Sequence, residues 1–149
     1  MTLAIATITN SIAALNVALV HIRDIDEIPE AVNPSDCPII YPKPDGFVTN
    51  FRVEVNSFGS SSAKKTVRYT LTYRFLQAAL SSGRGLFDVY DDLVTNVFAF
   101  LDAVIANDAL TGAIDDTPVN TINFGAVGDP AGNLFHGADI AIEIMEFVN

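Results

Sequence analysis

Ten consecutive residues, Thr66-Val-Arg-Tyr-Thr-Leu-Thr-Tyr-Arg-Phe75, alternate polar and apolar without a break. Successive side chains of an extended chain point to opposite faces, so Val67, Tyr69, Leu71, Tyr73 and Phe75 line one face and Thr66, Arg68, Thr70, Thr72 and Arg74 the other. A strand this apolar on one side must pair with neighbours and bury that side under another layer. The run just before it has the same period. Phe47, Thr49, Phe51, Val53 and Val55 face one way, and Asn50, Arg52, Glu54 and Asn56 the other. Between the two lies Ser57-Phe-Gly-Ser-Ser-Ser-Ala-Lys-Lys65, rich in residues that suit a long, flexible hairpin loop. The two runs therefore predict an antiparallel hairpin.

After a Ser-Ser-Gly-Arg-Gly turn the period changes. Phe87, Tyr90, Val94, Val97, Phe98, Leu101, Val104 and Ile105 recur at helical spacing and predict one amphipathic helix over 86–107. Asp88, Asp91 and Asp92 crowd its first turns, where the helix dipole favours negative charge. Ile5, Ile8, Ile12, Leu15 and Leu19 predict an earlier helix over 4–20. Between that helix and the hairpin lie five of the seven prolines, which predict an irregular segment with at most a short edge strand at 38–41. Two closing strands are expected at 119–127 and 135–148, with Gly128-Asp-Pro-Ala-Gly-Asn133 turning between them. The order α-β-β-α-β-β predicts one α+β domain over 1–149. Its antiparallel sheet of about four to five strands carries the N-terminal helix and the long amphipathic helix on one face.

The net charge of −10 argues against nucleic acid or an anionic membrane as the main partner, because both require a basic footprint. Half of the residues are hydrophobic and only 17% are charged, which leaves little polar material to cover a monomer and points to surface buried against other subunits. A well-filled core with Ala-rich helices explains the same composition. The apolar N-terminal stretch has no basic residue before Arg23 and is broken by Thr7, Thr9, Asn10, Ser11 and Asn16, which fits a core helix better than a signal or a membrane span. Cys37, the single cysteine, allows no internal disulfide and reads as a small apolar packing residue.

No catalytic signature emerges. His21 and His136 are the only histidines, and His136 reads as a strand-end residue. No metal-ligand spacing is present for zinc. The glycine-rich run 125–132 lacks the Gly-Lys-Ser/Thr ending of a phosphate loop and falls between strands. Asp115-Asp116 lacks the ligand spacing of a calcium loop. The chain reads as a non-enzyme with no cofactor and no metal.

Positive charge is unevenly placed. Six of the eight Lys and Arg lie between Arg52 and Arg84, and none follows Gly85, whereas eleven acidic residues do. Within one chain Arg68 and Arg74 can pair with Asp139 and Glu143 across neighbouring strands. Alternatively the basic hairpin, with Lys64, Lys65, Arg68 and Arg74, meets the acidic half of a neighbouring copy, a head-to-tail contact that closes into a ring.

The layout of an N-terminal helix, a proline-containing segment, a β-hairpin with a long loop, an amphipathic helix and a closing hairpin resembles the tail terminator, or tail completion, proteins of long-tailed bacteriophages. The resemblance is carried by FRVEVNSFG and KKTVRYTLTYRFLQ, the helix LFDVYDDLVTNVFAFLDAVI and the terminal strand HGADIAIEIMEFV, and it covers 45–149 more fully than 1–44. It implies a structural virion protein of the tail or neck, assembled in the host cytoplasm into a ring, hexameric in that family. Such a ring caps the tail tube, stops its polymerisation and offers a surface to the head connector. The implied partners are copies of the chain itself, the tail tube protein and a connector or neck protein. Loop 57–65, with Ser57, Gly59 and Ser60, falls where the family has a mobile loop near subunit or tube contacts. Another minor virion or neck protein of α+β fold, and a small-molecule-binding domain using a cavity between helix and sheet, are the alternatives.

Overall fold

The computed structural model describes residues 3–18, 20–55, 64–80, 86–106 and 120–148. Its elements are helix α1 (Ile5–Ala13), strand β1 (His21–Ile22), a 3₁₀ turn (Pro34–Asp36), strands β2 (Ile39–Pro42), β3 (Val48–Val55) and β4 (Lys65–Ala79), helix α2 (Leu86–Ile105), and strands β5 (Asn120–Gly128) and β6 (Leu134–Val148). The class is α+β, as the periodicities predict, but the sheet has six strands and is mixed. Its path runs β1-β2-β4-β6-β5, with β3 also on β4. Every pairing is antiparallel except β1 with β2. The proline-containing segment leaves β1 and returns in the same direction, and that return makes the parallel pair.

The alternating run is the spine of the sheet. Over its length β4 pairs with β6 on one edge, from Lys65 opposite Val148 to Ala79 opposite Phe135. Its other edge is shared, with β3 along the first half and β2 along the second. Val67, Tyr69, Leu71, Tyr73 and Phe75 are buried with Ile140, Ile142 and Ile144. Ile8 and Ile12 of α1 and Leu93, Val97, Phe100 and Val104 of α2 join them in one core. Burial of each such side chain contributes ~1.5–3 kcal/mol. At a bulge between Leu76 and Ala78, β6 closes so tightly on β4 that a Cβ at Gly137 would sit 2.0 Å from the Phe75 carbonyl oxygen.

The proline-containing segment is more than a connection. On the opposite face of the sheet, Val32 packs with Ile39 and Tyr41 of β2 and with Leu76, Ala79 and Phe135 in a second, smaller core. The strand expected at 38–41 is therefore not an edge: β2 lies between β1 and β4 and is buried throughout.

Three expectations need correction. Helix α1 stops at Ala13 rather than near residue 20. It has no side-chain cap at its start, and its β-branched Ile and Thr residues are weak helix formers. Strand β3 does not alternate strictly, because Asn50, with φ of 54°, inserts a bulge between Thr49 and Arg52. The bulge shifts the phase, so that Thr49 lies opposite Thr70 on the polar face and Val48 opposite Leu71 on the helix-covered face. In α2 only part of the apolar stripe read from the sequence is buried: Val97, Leu101 and Val104 are, and Phe87, Tyr90, Phe98 and Ile105 are not. Val89, Leu93, Val97, Phe100, Leu101 and Val104 face the sheet, whereas Phe98, expected in the core with Val94 and Leu101, is 53% exposed.

Candidate assembly surfaces

Strand β3 positions the first surface. All eight of its residues are exposed. Val53 lies opposite the buried Val67, and Phe51 stacks on Tyr69 at 5.7 Å between ring centroids, so both belong to the helix side of the sheet. Yet no described helix covers them: Val48, Phe51, Val53 and Val55 are 38–48% exposed. Among the described residues nothing pairs with the outer edge of β3. An open strand edge beside uncovered apolar side chains is a template for another chain.

The positive residues of the hairpin lie mostly on and around its other face. Arg52 is directly opposite Arg68. Like charges in that register repel, so the pair keeps the hairpin electropositive. Arg52 reaches Glu143 only at 3.9 Å, with its own side chain 68% exposed, and an exposed pair of this kind contributes ~0–1 kcal/mol. Lys64 is exposed and Lys65 half-buried where β4 begins. Ser57, Gly59 and Ser60 lie outside the described residues.

Of the cross-strand pairs expected within one chain, Arg74 with Asp139 forms. The guanidinium donates through Nε to Oδ1 at 2.8 Å and through Nη2 to Oδ2 at 2.9 Å, and Nη1 donates to the Gly128 carbonyl at 3.0 Å. These hydrogen bonds to Asp139 raise the Arg74 pKa. The two side chains thus satisfy one another inside the chain. Arg68 stands opposite Met145, and Glu143 faces Arg52 instead.

Helix α2 supplies a second surface that the sequence reading missed. Its apolar residues fall into two stripes rather than one. With the inner stripe turned to the sheet, Phe87 (97% exposed), Tyr90, Phe98 and Ile105 remain on the outside. Tyr90 meets Phe124 of β5 at 6.0 Å between centroids, so this stripe continues onto the β5 edge of the sheet. Asp91 and Asp102 flank it, both exposed, and the helix contains no Lys or Arg. The signal was present in the sequence: α2 has more apolar residues than one helix face holds.

Glu146, counted by sequence among the acidic residues of the C-terminal half, is buried. It accepts hydrogen bonds from the Tyr69 hydroxyl and, at 2.9 Å, from the Ala4 N–H at the start of α1. Burial, followed by the Glu146 hydrogen bond and charge, pushes the Tyr69 phenol far above its ordinary value. Glu146 therefore pins α1 to the end of β6 and is not a surface charge.

The remaining chemistry is sparse. No three His, Cys, Asp or Glu side chains among the described residues are grouped to hold a metal. Burial, reinforced by Asp36, raises the Cys37 thiol to about 11, which keeps it protonated. A cavity of about 690 Å³ lies between the second core and the β5–β6 turn, lined by Val32, Ala79, Leu80, Asn133, Leu134 and Phe135, on the side of the sheet away from α2. No described helix is long and apolar enough to cross a membrane. No protein-family model matches the chain, and no curated protein matches it.

Proposed function

We propose that the chain is a structural virion protein that assembles with copies of itself into a ring, capping a bacteriophage tail tube, ending its growth and presenting a surface to the head connector. The observation that carries this reading is β3, which has apolar side chains exposed on the helix side of the sheet and an outer edge that no described strand covers. A chain with 17% charged residues and such a strand gains by burying it against another subunit. The layout read from the sequence supplies the setting, a tail or neck ring of six subunits. In this reading the chain is not an enzyme and needs no cofactor. Its work is done by faces that bind the next subunit, the tube and the connector.

Charge orients the encounter and apolar burial supplies the affinity. Lys64 and Lys65 at the head of the hairpin contribute to the positive side. Reversing both, Lys64→Glu with Lys65→Glu, is expected to slow assembly several-fold at low salt and much less at high salt, where screening acts beyond ~3–8 Å. The thermal midpoint of the subunit should stay within a few degrees of wild type. Assembly unchanged at both salts would remove these lysines from the contact.

A further inference from the structure

The two uncovered apolar surfaces lie at opposite edges of the same sheet. The face of β3 is at the β4 edge, and the outer stripe of α2, through Tyr90 and Phe124, is at the β5 edge. They differ in kind. At β3 the sheet extends past its helices, and at α2 the helix carries apolar side chains past its sheet. We infer that the outer stripe of α2 of one copy seats on the bare helix-side face of β3 of the next copy, extending the helix layer from subunit to subunit.

Charge selects this occupant. The α2 stripe is flanked by Asp91 and Asp102 and has no basic residue, whereas Lys65, opposite Val55 and two residues before Val67, stands on the helix side of the sheet at the end of β3, with Arg52 and Arg68 on the polar face behind it. Joining unlike edges therefore brings acidic to basic. Joining two α2 stripes or two β3 faces would place like charges together, which opposes a two-fold contact. The aromatic side chains Phe87, Phe98 and Phe51 fit the interior of such an interface, with the charged residues at its rim. Because the two surfaces belong to different edges, the contact is heterologous, and an open chain of subunits keeps one free surface at each end until the ring closes.

This inference rests on the self-association in the proposed function, and complementation separates the two. Phe98→Glu spoils the α2 stripe and Val53→Glu spoils the β3 face, both at exposed positions. Each variant alone should be a subunit of 16.0 kDa by light scattering. Mixed in equal amounts, they should form a 1:1 dimer and stop, because one good α2 stripe meets one good β3 face and the two spoiled surfaces cannot extend it. Far-UV circular dichroism and the thermal midpoint report folding. If Val53→Glu unfolds, Val53→Thr replaces it, and self-association is then expected to weaken at least tenfold. A wild-type chain that is monomeric overturns both the ring and this contact. Wild-type assembly that survives the β3 substitution, or a mixture that stays monomeric, overturns the contact and leaves the ring.

Discussion

Tyr73 is fully buried at the centre of the main core, and its hydroxyl has no hydrogen-bond partner among the described residues. Burial raises the phenol well above its ordinary value. A buried hydroxyl without a partner is a net cost, so Tyr73→Phe is expected to be neutral or to stabilise the subunit by up to ~1 kcal/mol. Denaturant unfolding checks this, and a loss above ~1 kcal/mol would reveal a partner. Asp129 is the opposite case. Burial alone would raise its pKa, but hydrogen bonds from the Val32 N–H, the Asn133 side chain and the Asn133 and Ala131 N–H groups hold it below its ordinary 3.8. Its folded value is thus below its unfolded one, so the stabilisation is complete above 3.8 and is lost as pH falls through the folded value. The bond to Val32 ties the proline-containing segment to the β5–β6 turn. Asp129→Asn should therefore cost ~1–3 kcal/mol at neutral pH. The gap between the two melting temperatures should narrow below pH 3.8, and a gap independent of pH would mean that the carboxylate charge is not what holds the segment.

At the scale of elements, what was legible followed from period. The ten-residue alternation marked β4, the longer run to Val148 marked β6, and the dense helical spacing marked α2 to within two residues at its end. Phase was less legible. A helix with apolar residues on two faces offers two stripes, and only the packing against β4 and β6 chooses between them. One residue in a left-handed conformation, Asn50, was enough to exchange the faces of Val48 and Thr49. The parallel β1–β2 pair was not legible at all, since a two-residue strand has no period. Of the candidate site residues, Arg74 and Asp139 met because the β4–β6 register sets them directly opposite each other. Glu143 went to Arg52, which the alternation had placed on the polar face of the hairpin without a partner. The division of α2 has a direct consequence. Leu101→Ala, on the inner stripe, should cost the dissociated subunit ~2–5 kcal/mol, whereas Phe98→Ala, three positions earlier on the outer stripe, should cost less than about 1 kcal/mol. Equal losses in denaturant titrations would mean that both stripes are buried within one chain.

For the whole molecule, net charge and apolar surface pull in different directions. A charge of −10 keeps copies apart at long range, and the electropositive hairpin gives one edge of the sheet a sign opposite to the rest. In the proposed ring, encounter would be productive mainly in the orientation that brings this edge to an acidic one, with the exposed aromatic and aliphatic side chains taking over at contact. The Arg74–Asp139 clamp and the buried Glu146 hold the subunit together, and the surfaces of β3 and α2 are those that the proposed ring would bury. The claim on which the rest depends is self-association, and the mass of the purified chain in solution tests it most directly. Light scattering across a concentration series should give a single closed species at a whole-number multiple of 16.0 kDa, six for a hexameric ring, with no further growth as concentration rises. A mass of 16.0 kDa at every concentration and at low salt would contradict the account.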